Sequence, residues 1–131
     1  MTMNSNMLVR WILRLIGLLA VTMQSILFLS TLADRHFPIR GRLAETAVEV
    51  LARGIVAVGF LAALRYERMG GAAMIIGSVL LSMAIYSWAA PLGTYASTLI
   101  AVHCFPTLIT GLLFMSMPGR IDAMQGIGVD W

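Results

Sequence analysis

The chain has 131 residues, 60% of them hydrophobic and only 11% charged, with a mean hydropathy of +0.89 and a formal net charge of +3. A soluble domain of this size usually carries about 25% charged residues, so too few charges are present to cover a water-facing surface. That excludes an ordinary soluble enzyme or binding module and points to a chain solvated by lipid.

Four spans of about 20 residues each, joined by short connections, use nearly the whole length and leave no room for a separate catalytic domain. The expected fold is all-α: an integral membrane, antiparallel four-transmembrane-helix bundle forming one domain over residues 1–131. The first helix is expected over about residues 8–33. Its start imitates a signal peptide, with Arg10 and Arg14 ahead of an apolar run and Thr31-Leu32-Ala33 before Asp34. The run from Leu15 to Ala33 exceeds the roughly 7–15 residues of a signal core, so it reads as a retained helix. Pro38 and Gly41 break a polar loop before a second helix over about residues 43–64. The sequence predicts a tight turn at Arg65–Arg68 and a third helix opened by Gly70-Gly71 and running to about residue 90. Pro91 and Gly93 mark the next turn, the fourth helix covers about 94–117, and the tail 118–131 reads as irregular. Trp11 and Tyr66 fall at one expected interface, and Trp88 and Tyr95 at the other, where amphipathic rings settle.

All nine basic residues are arginines. Beside apolar spans they favour anionic lipid headgroups over nucleic acid, which is not an expected partner. Arg10, Arg14, Arg65, Arg68 and Arg120 share one side of the bundle, and Arg35, Arg40 and Arg42 the other. The excess of positive charge places both termini in the cytoplasm.

The second helix holds the most informative pattern. Glu45, Glu49 and Arg53 recur every fourth residue, along one stripe. Charges within a span are costly and normally face the interior or pair. Arg53 lies about ten residues from its loop, or roughly 15 Å at 1.5 Å per residue. Gln24 on the first helix, Ser82 on the third and His103 on the fourth fall near the same depth, with Glu49 one turn nearer the surface. Two readings of this cluster stand side by side: interhelical glue, or a site for a small molecule, ion or proton. Small residues spaced by four, Gly59 with Ala63, Ala73 with Gly77, and Ser78 with Ser82, offer surfaces on which backbones can approach closely.

The remaining chemistry is sparse. Cys104 is the single cysteine, and the only other histidine, His36, belongs to a loop at another depth. A cysteine-based metal site and a bis-histidine haem are therefore not expected, and no metal or cofactor is assigned. The chain lacks lysine, HExxH and GxSxG, and Glu45 and Glu49 are better matched to arginine than to acid–base hydrolysis. The ten methionines are scattered, as flexible apolar filling.

The stretch Leu64-Arg65-Tyr66-Glu67-Arg68-Met69-Gly70-Gly71 resembles the aromatic-Glu-Arg-x-Gly-Gly turn of small, uncharacterised four-helix bacterial integral membrane proteins, with Tyr66 at the aromatic position. The resemblance implies the four-helix fold and a bacterial membrane, and no activity. The expected function is a non-catalytic accessory subunit that packs against other membrane proteins or itself and binds lipid. The alternative is binding or transport through the polar cluster.

Overall fold

Long apolar runs rich in leucine, isoleucine, valine and alanine, with proline confined to ends and one interior position, leave the backbone little choice but helix. The computed structural model describes residues 5–33 and 43–117. It contains α1 (Ser5–Ala33), α2 (Leu43–Ala63), α3 (Glu67–Ala89) and α4 (Thr94–Ser116), with a short 3-10 turn at Ala90–Leu92. Among the described residues, three helical stretches are long and apolar enough to cross a membrane: Ser5–Ser30, Glu67–Leu92 and Thr94–Ser116. The arginines of the first loop, His36, and the tail with Arg120 lie outside the described residues, as does the side chain of Glu45.

The turn between α2 and α3 differs from the sequence expectation. Helix α3 begins at Glu67, not at Gly70. The reversal is made by Leu64–Tyr66, where the Arg65 and Tyr66 N–H groups both donate to the Ala62 carbonyl. Glu67 in the first turn places a carboxylate at the positive end of the helix dipole. The double glycine sits inside the helix, and neither residue needs a positive φ. Its role is close approach. A Cβ on Gly70 would collide with the backbone of Ala63 on α2, and one on Gly71 would stand 2.6 Å from the Gly111 carbonyl oxygen on α4. Successive residues point about 100° apart around a helix, so adjacent glycines serve two neighbours.

At the other end of α3, Pro91 fits the first turn of the 3-10 segment, where no N–H is required. Gly93 then adopts φ 62°, the left-handed region that glycine reaches without steric cost, and α4 starts from it.

Helix α3 is the centre of the packing, with extensive contact to both α2 and α4. Along α2 the contacts step from Ala63 opposite Gly70, through Gly59 opposite Ala73 and Met74, to Val56 and Ala52 opposite Gly77. Along α4 they step from Met115 and Gly111 opposite Gly71 to Thr107 opposite Ser78, whose hydroxyls hydrogen-bond at 2.8 Å. Of the six small residues singled out for packing, Gly59, Ala63, Ala73 and Gly77 lie in the α2–α3 seam, and Ser78 meets Thr107 on α4.

Two apolar clusters fill the interior. One gathers Leu13, Val56, Phe60, Ala63, Met74 and Phe114, with the Phe60 and Phe114 rings tilted at 57° and 6.4 Å apart. The other gathers Ala52, Leu81, Ile85, Ala89, Ala96 and Cys104. Helix α1 packs less extensively, on α4 and α2. It approaches at Gly17, where an added Cβ would meet the Phe60 ring and the Thr110 methyl.

Candidate functional site

The stripe on α2 turns inward at mid-bundle. Glu49 and Arg53 stand one turn apart, and Arg53 Nη2 donates to Glu49 Oε1 at 2.7 Å. Both side chains are about nine-tenths buried, with 10% of Arg53 and 12% of Glu49 exposed. Removing such charges from water costs several kcal/mol per ion, so the pair persists only with further hydrogen bonds.

Those bonds come from the other helices. Arg53 Nη1 donates to the backbone carbonyl of Gln24 on α1 at 3.2 Å, and Nη2 lies 3.3 Å from His103 Nδ1 on α4. Arginine has donors only, so Nδ1 accepts and the ring proton sits on Nε2. Gln24 Nε2 donates in turn to the His103 carbonyl at 3.1 Å. Gln24 and His103 are both buried. The Phe28 ring, one turn beyond Gln24 on α1, lies under the guanidinium with its centroid 4.5 Å from Cζ, a cation–π contact that strengthens when water is excluded. Pro106, three residues after His103, removes a backbone donor from α4, and Thr107 and Thr110 send their hydroxyls back to the Cys104 and Pro106 carbonyls.

Four of the five cluster candidates therefore converge: Gln24, Glu49, Arg53 and His103. Among the described residues, no hydrogen bond joins Ser82 to the guanidinium. Its hydroxyl donates to the Ser78 carbonyl at 2.8 Å, and it flanks Cys104. One donor of the cluster is left over: Arg53 Nε is buried without a partner. Among the described residues, no three His, Cys, Asp or Glu side chains come together to hold a metal. The cluster joins one cation, one carboxylate, one amide and one imidazole, each occupied chiefly by the others. It has the parts of a helix clamp and lacks an activated nucleophile.

Sequence reasoning missed Phe28, although its spacing of four from Gln24 put it on the same face of α1. It also missed a second polar set at the α2–α3 turn. Arg10 Nε lies 3.4 Å from Glu67 Oε1, and Arg14 Nη2 donates to the Leu64 carbonyl at 3.0 Å. The second contact satisfies a carbonyl just past the end of α2, one of the acceptors that a helix terminus leaves open.

No curated protein and no solved structure matches the chain. The family described as a domain of unknown function (DUF7670) matches residues 1–119, a stretch that includes all four helices. The chain belongs to that family, DUF7670.

Proposed function

We propose that the chain is a non-catalytic integral membrane protein of a bacterial inner membrane. It crosses the bilayer four times as an antiparallel bundle and serves as an accessory subunit, packing against other membrane proteins or a second copy within a lipid surround. The observation that carries this reading is how the side chains are distributed. The side chains of Gln24, Glu49, Arg53 and His103 are turned inward onto one another, while large apolar side chains face outward on every helix, among them Leu19, Leu51, Met83 and Phe105. The stepwise contacts of α3 with α2 and α4 support the antiparallel arrangement, and three apolar helices support the membrane location. At about 1.5 Å per residue, the 21 residues of α2 also suffice for a hydrocarbon core of about 30 Å.

A second reading, a site for a small molecule, ion or proton at the Glu49–Arg53–His103 cluster, is favoured by the unpartnered Arg53 Nε. Extraction in a mild detergent followed by native mass spectrometry separates the two. The subunit reading expects a reproducible set of larger membrane proteins, or a homo-oligomer. A monomer carrying a small molecule, which the Arg53→Met variant loses, would replace it with the second.

The topology is testable separately. With Cys104 replaced, cysteines introduced at residues 40 and 93 are expected to label from outside the cell, and those at 66 and 125 only after permeabilisation. Labelling of 125 from outside with protection of 40 would reverse the orientation. Termini on opposite sides would remove the fourth span.

A further inference from the structure

Helix α1 runs past its neighbours at one end. Its buried face follows Leu13, Gly17, Ala20 and Gln24, at the spacing of one helical stripe. Against α4 the contacts step in opposite chain directions: the Gln24 amide at the His103 carbonyl, Gly17 at Thr110, and Leu13 in one cluster with Phe114. The steps are equal on both helices, seven residues and then four. Because the rise per residue is the same in both, this register carries Ser116, the last residue of α4, to the level of about residue 11 on α1. Gly17 also faces Phe60, so α2, which ends at Ala63, stops near the level of Arg14. All five residues from Ser5 to Val9, beyond both ends, are exposed. Yet Val9 and Asn6 continue the buried stripe, four and seven residues before Leu13. Val9 is 45% exposed where Leu13 is 4% exposed, so the packing face of α1 runs on as an open ledge.

Acyl chains do not account for this ledge. At about 1.5 Å per residue, the 21 residues of α2 already fill a hydrocarbon core of about 30 Å, and the ledge begins past the end of α2 with its stripe turned toward the bundle axis. The chain itself returns to the same place. Met117, the first residue past α4, is half-buried against the cluster that contains Leu13. Fourteen residues follow it, 118–131, outside the described residues. Their last five, Ile127-Gly128-Val129-Asp130-Trp131, alternate large apolar residues with small or polar ones, the pattern of a segment with one apolar edge when extended. The ten residues from Met117 to Ile127 reach at most about 33 Å, ample for neighbouring helices whose axes lie about 10 Å apart.

We propose that Ile127–Trp131 folds back across the end of the bundle and rests on the Asn6–Val9 ledge, as an intramolecular cover. This rests on the membrane-spanning reading and goes beyond it in assigning an occupant to a surface. The apolar edge of the segment meets Val9, and the Asn6 amide is placed to bond its backbone. A second copy would carry the same edge, but the chain's own segment is always within reach.

The test uses the full chain in nanodiscs with Cys104→Ala. Val9→Cys combined with Val129→Cys is expected to form a disulfide within one chain on mild oxidation, identified by intact mass. Leu8→Cys with Val129→Cys, at the same level on the outward side of α1, is expected to form little. Val9→Cys alone should react slowly with a water-soluble maleimide. Ending the chain after Met117 should speed that reaction about tenfold, the factor that about 1.4 kcal/mol of docking provides. Ile127→Gln/Val129→Gln/Trp131→Gln, which keeps the length, should speed it similarly. Equal cross-linking at Leu8 and Val9 overturns the cover, and so does a maleimide rate that neither change of the segment alters. A disulfide between chains overturns it in favour of a second copy. A parent that does not enter nanodiscs contradicts the membrane reading itself, a result distinct from all of these.

Discussion

Arg53→Met and Glu49→Gln, made singly, are expected to destabilise the bundle by about 3–5 kcal/mol each, because each leaves the other group buried and uncompensated. The double variant is expected to recover most of that loss. Recovery should be incomplete, since Arg53 also donates to the Gln24 carbonyl and to His103 Nδ1, and a methionine supplies neither bond. Reversible unfolding in mixed micelles, followed by circular dichroism, measures the difference. The double variant also separates the two functional readings. If the cluster is glue, association with partner proteins returns with stability. If it is a binding site, the double variant folds yet loses its co-purifying small molecule, and His103→Ala shares the loss. Three variants as stable as the parent would mean that the buried ion pair described here does not exist.

The second large effect is expected at Gly77. A Cβ there would stand 2.7 Å from Val56 Cγ2, 2.9 Å from the Val56 nitrogen and 3.1 Å from the Ala52 carbonyl oxygen. Two of these are backbone atoms, which no rotamer change can move aside, so α2 and α3 must separate. Gly77→Leu is expected to cost about 3 kcal/mol or more, at the upper end of overpacking effects, or to prevent assembly altogether. Gly54 supplies the internal control, since a Cβ there meets nothing within 4 Å. Gly54→Leu should leave thermal stability in detergent close to that of the parent. If the two leucine variants melt together, the close α2–α3 seam is wrong.

The helical segments were legible because their composition leaves so few alternatives, and their ends fell within a few residues of expectation. The exception was instructive. Gly70-Gly71 reads from sequence as permitting the reversal and letting α3 start close to α2; the reversal lies earlier, at Leu64–Tyr66, while the close approach holds and extends to α4. A single sequence shows that a glycine is present but not whether φ or volume demands it. Counting depth along each helix gathered Gln24, Glu49, Arg53 and His103, because the rise per residue is fixed whatever the packing. Depth carries no information about rotation, and Ser82 shows the consequence: it stands at a suitable level with its hydroxyl donating to the Ser78 carbonyl and its side chain turned to Cys104 rather than bonded to the guanidinium. Phe28 escaped attention because an aromatic residue in an apolar helix has no chemical signature until a guanidinium is found over its ring.

Among the described contacts, helix α1 reaches its neighbours through a small-residue approach at Gly17, apolar side chains, the polar bonds of Arg10, Arg14 and Gln24, and the Gln24 carbonyl and Phe28 ring that receive Arg53. The α2–α3–α4 unit, by contrast, is closed by backbone-to-backbone approach along two seams. Cohesion in the chain is therefore uneven, and the weakest boundary runs along one side of α1. Separating α1 would uncover Arg53 by removing the Gln24 carbonyl and the Phe28 ring while leaving both α3 seams intact.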